Sequence, residues 1–201
     1  MTSEWVQINV QGEKVDAYVA SPETKGPHPG IVVAMHVFGV DKFVQGKCDE
    51  LADAGYVAIA PYLFHRSSVS NEHLISYEFA DPSRREVAMP LKDMLRDEEL
   101  LEDMGAAGQY IEALPYVSGS LGVTGFCIGG RIAYMMAVRT KLFAACADFY
   151  GVDVDLPWGD GPIPIARTSE LEAALAGFFG DLDQNPSPRD VDKLEAALKA
   201  E

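Results

Sequence analysis

The stretch LGVTGFCIGGRIAYMM, Leu121–Met136, decides how the chain is read. It opens as an apolar run, Leu121-Gly122-Val123-Thr124, that suits a buried strand. It turns sharply at Gly125-Phe126-Cys127-Ile128-Gly129. It continues from Gly130 through Ala137 as a helix with small residues at its start. This is a strand-to-helix elbow of the form G-x-nucleophile-x-G, with Cys127 where Ser is commoner. Gly125 and Gly129 leave room for strand and helix to approach closely, and the turn itself is strained. The helix N-terminus behind Cys127 favours a thiolate and offers N–H groups to an oxyanion. The competing reading is a small buried core cysteine. Strand, glycines and helix in register favour the nucleophile.

Outward from the elbow, strands alternate with helices. Residues 4–10 and 14–20 make a hairpin around Gly12, with a loop from Pro22 to Pro29. Gly30–Met35, GIVVAM, is a continuous apolar run of the kind that fills a central parallel strand. Asp41 is placed to cap a helix over Lys42–Ala54, stopped by Gly55. Tyr56–Ala60 is the next buried strand. Residues 62–90 read as a long polar connection, helical in part around Glu72–Phe79, of the kind that forms a lid or binding loop. A helix is expected over Asp93–Leu114, its acids Asp97, Glu98, Glu99, Glu102 and Asp103 forming a solvated face rather than a metal site. Strands follow at Phe143–Tyr150 and Ala176–Gly180. A helical or connecting piece is expected at Ser169–Ala176, and an amphipathic helix at Arg189–Glu201. The fold class is α/β, a mostly parallel sheet with helices on both faces.

Composition narrows the function classes. The 201 residues suit a single domain, 1–201, and the 48% hydrophobic content suits a globular one. A formal net charge of -15 argues against nucleic acid and anionic membranes as partners. The three cysteines, Cys48, Cys127 and Cys146, form neither a disulfide framework nor a zinc pattern. No signal peptide is evident and no apolar run approaches the roughly 18 residues of a membrane span. A reducing cytoplasm is the expected location.

An elbow cysteine needs oxyanion donors, an acid and a base. The N–H groups of Ile128 and Val37 are placed to be the donors, although His36-Val37-Phe38-Gly39 also reads as an ordinary strand-to-helix turn. The acid belongs after a strand beyond the elbow, and Asp183 fits, with Asp181 beside it; both also read as loop-turn acids. The base is lacking. The four histidines, His28, His36, His65 and His73, all precede Cys127.

With these residues in view, the chain resembles the dienelactone hydrolase (carboxymethylenebutenolidase) family of the α/β-hydrolase superfamily. GIVVAM-HVFGV, AGYVAIAPYLF, GVTGFCIGG, DFYG and FFGDLDQNPSP carry the likeness in family order. The resemblance implies hydrolysis of a lactone or small ester through a Cys-His-Asp triad, without metal or cofactor. It makes Cys127 the nucleophile, Asp183 the acid, and Val37 and Ile128 the oxyanion donors. Two departures stand out. His36 occupies the place of a family Glu that handles the thiol proton, and it reads equally as a proton acceptor for Cys127 and as a loop histidine satisfied by the backbone. The family His follows one more strand, so the expectation is a copy lacking a final strand, His turn and helix, which leaves a sheet edge exposed; a protein that lost the base and kept the fold is the alternative. Arg84 and Arg85 are the candidates for gripping a substrate carboxylate, against the plainer reading of a solvated surface pair. The rival functions are a non-catalytic binding or partner protein on this scaffold and a thiol-transfer role for Cys127. The substrate and the oligomeric state are not specified by the residues.

Overall fold

A computed structural model of the chain describes residues 1–78 and 80–200. Phe79 and Glu201, the ends of two expected helices, lie outside the described residues. Among the described residues, seven strands form one sheet in the order β1-β2-β4-β3-β5-β6-β7. The strands are β1 Thr2–Val10, β2 Glu13–Ser21, β3 His28–Ala34, β4 Val57–Pro61, β5 Val117–Phe126, β6 Phe143–Phe149 and β7 Ala174–Phe178. β1 pairs antiparallel with β2, and β2 antiparallel with β4. From β4 through β3, β5, β6 and β7 every pairing is parallel.

The apolar runs place the centre. All five residues of β4 are buried, and Val32, Val33 and Ala34 of β3 are fully so. Strands covered on both faces can afford no polar alternation. The helices are α1 Lys42–Asp53, α2 Asn71–Ile75, α3 Pro82–Met94, α4 Asp97–Glu112, α5 Ile128–Arg139 and α6 Pro188–Lys199, with a 3₁₀ segment at Pro164–Glu170. α5 is buried along most of its length and packs against β5 and β6. At the β7 side the sheet is less covered. An open apolar hollow of about 500 Å³ runs over Ile31, Val123, Ala145, Ala147 and Ala176, and Phe178 is half exposed.

Three stretches differ from the sequence reading. The connection over 62–90 is largely ordered into helices. Ser70 caps α2, while Asp81 accepts the Ser83 N–H and Pro82 opens α3. Polar caps and an initial Pro start helices that apolar periodicity does not announce. The single helix expected over 93–114 is two, α3 and α4, broken at Leu95 and Arg96, both extended. The break lets Asp97 turn inward. Its carboxylate receives Arg131 Nη1 at 2.6 Å and Nη2 at 3.0 Å, and its N–H donates to the Trp158 carbonyl at 2.7 Å. Asp97 and Asp103 are therefore not part of a solvated face; both are buried, Asp103 under the Arg66 guanidinium and His65. Lastly, β7 begins at Ala174, two residues earlier than expected, and the piece before it is a 3₁₀ turn.

Arg131 holds the loop after β6 as well. Its Nε donates to the Asp153 carbonyl at 3.1 Å and Nη2 to the Leu156 carbonyl at 2.8 Å, while the guanidinium lies 4.0 Å from the Trp158 ring centre. Every donor of this fully buried cation thus meets an acceptor or a π face. Arg131→Met strands the buried Asp97 carboxylate and is expected to cost about 3–5 kcal/mol in urea unfolding. The double variant with Asp97→Leu is expected to recover much of that loss; no recovery would mean that the loop contacts, rather than the orphaned charge, dominate.

Candidate active site

The elbow is built from backbone contacts that no side chain can enter. A Cβ at Gly125 would sit 2.1 Å from the Gly129 carbonyl oxygen, and one at Gly129 would sit 2.3 Å from that of Ala34. Cys127 between them has φ 59° and ψ -121°, a left-handed conformation costing a non-glycine residue roughly 1–3 kcal/mol. The turn is held by the Cys127 N–H, which donates to the Phe149 carbonyl at 3.0 Å, and by the Gly130 N–H, which donates back to the Cys127 carbonyl at 3.0 Å. The Cys127 side chain is thereby lifted over the C-terminal ends of β3, β5 and β6.

The Ile128 N–H is directed at the Cys127 sulfur. Across from it, β3 ends in the turn carrying Val37. His36 and Gly39 close this turn through a backbone bridge, with the Gly39 N–H on the His36 carbonyl at 3.1 Å. The Phe38 N–H donates to His36 Nδ1 at 3.0 Å. An Nδ1 that accepts leaves the proton on Nε2, which donates to Asp41 Oδ1 at 3.0 Å. Both imidazole nitrogens are therefore committed within the loop.

Asp41 is the hub of that loop. Its Oδ1 also accepts the Phe43 and Val44 N–H groups at the start of α1, and its Oδ2 accepts Arg84 Nη2 at 2.6 Å. Burial alone would push this carboxyl up, but the donors from His36, Arg84 and Val44 outweigh it and hold Asp41 at about 2. The sequence reading saw only the cap. It also placed Arg84 on a solvated surface or against a substrate carboxylate. Instead Arg84 is 3% exposed, on the inner face of α3, bonded to Asp41 and 4.4 Å from the Phe38 ring centre. Its neighbour Arg85 is exposed and close enough to Cys127 for its charge to favour the thiolate.

Burial is nevertheless the largest influence on the thiol and raises its pKa, with the charges of Asp153 and Asp183 adding to the rise. The Ile128 N–H and Arg85 oppose it without prevailing. Desolvation and the two acids thus work against the thiolate expected from the helix N-terminus. Asp183 lies in the exposed loop after β7, its Oδ1 accepting the Gln184 and Asn185 N–H groups at 2.7 and 3.2 Å. Asp153, with φ 57°, follows β6; no motif in the sequence marks it, since only the fold brings that loop over the elbow. An aromatic row runs beside the site: Phe43 stands 5.0 Å from Phe126, Phe126 4.8 Å from Phe149, and Phe149 4.6 Å from Phe178, ring centre to ring centre.

The family model of the dienelactone hydrolase family matches residues 15–201. This chain belongs to the dienelactone hydrolase family. It is 33% identical over 196 residues to a Synechocystis protein provisionally named a carboxymethylenebutenolidase, covering 96% of this chain and 77% of that one. A Pseudomonas putida carboxymethylenebutenolidase is 32% identical over 156 residues, 77% of this chain and 64% of its own length. Among solved structures, a Klebsiella pneumoniae protein provisionally described as a dienelactone hydrolase superposes with a TM-score of 0.81 at 28% identity, over 99% of this chain and 80% of that chain. A Pyrococcus horikoshii acylaminoacyl peptidase shares the α/β-hydrolase fold, with a TM-score of 0.72 at 14% identity over 99% of this chain and 35% of that one. Within this dienelactone hydrolase scaffold the structure brings together Cys127, Ile128, Asp183 and Arg85. It turns His36 and Arg84 toward Asp41.

The thiol environment has a direct consequence. Cys48 and Cys146 are buried, and burial pushes both thiols far up, so alkylation reports on Cys127 alone. Its iodoacetamide rate is expected to rise with pH to a midpoint above that of an ordinary cysteine. Asp153→Asn should lower the midpoint and Arg85→Ala should raise it, as followed by intact mass. A midpoint below that of free cysteine would contradict the electrostatics described.

Proposed function

We propose that this chain performs carboxylic-ester or lactone chemistry through Cys127 as nucleophile. The observation that carries the reading is the strained elbow, which holds one side chain, a cysteine, above the sheet with the Ile128 N–H beside it. Such strain is retained where the geometry serves chemistry. The Val37 N–H, on the turn that Asp41, His36 and Arg84 hold, is the second oxyanion donor.

In this scheme the Cys127 thiol gives up its proton and the sulfur attacks the carbonyl carbon. The carbonyl π pair moves to oxygen, where the Ile128 and Val37 N–H groups receive the negative charge. Collapse breaks the C–O bond, and the leaving alkoxide takes up a proton. For a lactone the leaving oxygen stays tethered to the acyl group. Water then cleaves the thioester, restoring the thiol and releasing the acid. Asp183 is the acid that would orient a base. Arg85 is the cation that would receive a substrate carboxylate, and the aromatic row gives an apolar wall to a small organic acyl group. Arg84, His36 and Asp41 act as positioning residues for the oxyanion turn.

The proton acceptor is the weak point of the arrangement. The raised thiol pKa calls for a base, yet His36, on the turn beside Cys127, has both nitrogens engaged. This observation favours the second reading, a binding protein on the same scaffold, and it separates acylation from turnover in the test. Mixing the chain with an activated aryl ester and with an enol lactone is expected to give one acyl adduct on Cys127. Steady turnover should be lower by about 10²–10⁴ than in a member with a complete triad. Cys127→Ala should give no adduct. Absence of any adduct in the parent chain would support the binding protein; sustained rapid turnover would show that a base is at work among these residues.

A further inference from the structure

The sheet ends at β7, and the run AALAGFFG, Ala173–Gly180, carries neither a charge nor a proline. Native sheets blunt such an edge with charge, proline or a bulge, because its open peptide groups invite another strand. The Tyr150 N–H donates to the Phe178 carbonyl at 2.8 Å, so the peptide groups of Phe178 face inward. Alternation along the strand turns those of Leu175 and Gly177 outward, to the open edge. Ala174, Ala176 and Phe178 share one face of the sheet. On that face the apolar hollow of about 500 Å³ is floored by Ala145, Ala147, Ala174 and Ala176 and bounded by Phe149, against which Phe178 stacks. None of the residues lining it is charged, in a chain of net charge -15.

We propose that this edge is the interface between two copies of the chain, β7 pairing antiparallel with β7 about a two-fold axis at Ala176. The strand is self-complementary in that register. Leu175 of each copy falls opposite Gly177 of the other, and Ala174 opposite Phe178, so every bulky side chain meets a small one. Leu175 and Gly177, whose peptide groups point outward, form the hydrogen-bonded pairs, and Ala176 faces Ala176 between them. An axis at Leu175 would set Glu172 against Phe178, and one at Gly177 would set Leu175 against Phe179. Residues directly opposite share a face, so the Phe178 ring of the second copy lies over Ala174 and leans toward Ala145, the neighbour of Ala174 on β6, covering the hollow. The contact is isologous and closes at two copies. The acids nearest the strand, Glu172 and Asp181, fall opposite Gly180 and Leu171 rather than opposite each other. The remaining repulsion between two acidic chains acts at longer range and is screened by salt.

The test is sedimentation equilibrium of the chain from about 5 to about 200 µM, since an interface of this modest size makes a weak dimer. The weight-average mass is expected to rise with concentration from 21.8 kDa toward twice that value. At fixed concentration it should rise further as NaCl goes from about 0.05 to about 0.5 M. Ala176→Lys and Ala176→Glu each set like charges face to face at the axis, from an exposed position. Each alone is expected to weaken the dimer about tenfold or more, with Cys127 alkylated at the parent rate as a check on folding, and an equimolar mixture of the two should recover it. A parent chain that stays monomeric, growth past the dimer, or single variants that associate as the parent does would each overturn the proposal. A mixture no heavier than its components would overturn it too, because that outcome takes Ala176 off the axis.

Discussion

The structure depends on a backbone-to-backbone contact. Gly129 lies against Gly125 on one side and the Ala34 carbonyl on the other, at separations that exclude any Cβ. That contact determines where α5 starts relative to β5 and β3, and so where Cys127 points. It also explains why a non-glycine residue sits at positive φ there: the flanking strand and helix define the turn, and Cys127 bears the strain. Packing repays that cost, since α5 is buried along most of its length and Tyr134, Met135 and Met136 are each within 1% of full burial.

Buried charge organises what surrounds the elbow. Arg131, four residues after Cys127, ties α5 to α4 through Asp97 and to the loop after β6 through two carbonyls. Asp41 does the equivalent on the opposite side, joining the turn after β3, the start of α1 and α3. Ion pairs of this kind contribute little net stability over an apolar replacement, but they tolerate few alternative geometries. Here they orient three loops around one side chain. Burial, with the charges of Asp153 and Asp183 added to it, outweighs the Ile128 N–H and Arg85, which is why Cys127 resists ionisation.

Family membership and site geometry speak to different levels of function. The match over residues 15–201 establishes the scaffold. What the scaffold does is decided by a few side chains. The turn carrying Val37 is held by Asp41, Cys127 is held in its elbow, and Asp183 is close enough to act on it. His36 is committed to fixing the turn that carries Val37.

The sheet, the elbow and the cap of α1 could be read from residue order, because they rest on local physics: apolar runs for buried strands, glycines where backbones touch, and Asp41 before a helix. The candidate nucleophile, the acid loop and the oxyanion pair came from the same local patterns. The roles of Arg84, Asp97 and Asp103 did not: the two acids were read as part of a solvated face, and Arg84 as a candidate for a substrate carboxylate or a solvated surface charge. A charged residue looks the same in a sequence whether water or a counter-ion solvates it, and the counter-ions here lie 43 residues away for Arg84, 34 for Asp97 and 37 for Asp103. The same distance hid Asp153. Period, caps and turns are properties of neighbouring residues and are legible in order along the chain. The ionisation of Cys127 and the commitment of His36 depend on which distant groups the folded sheet brings together, and only the tertiary structure decides that.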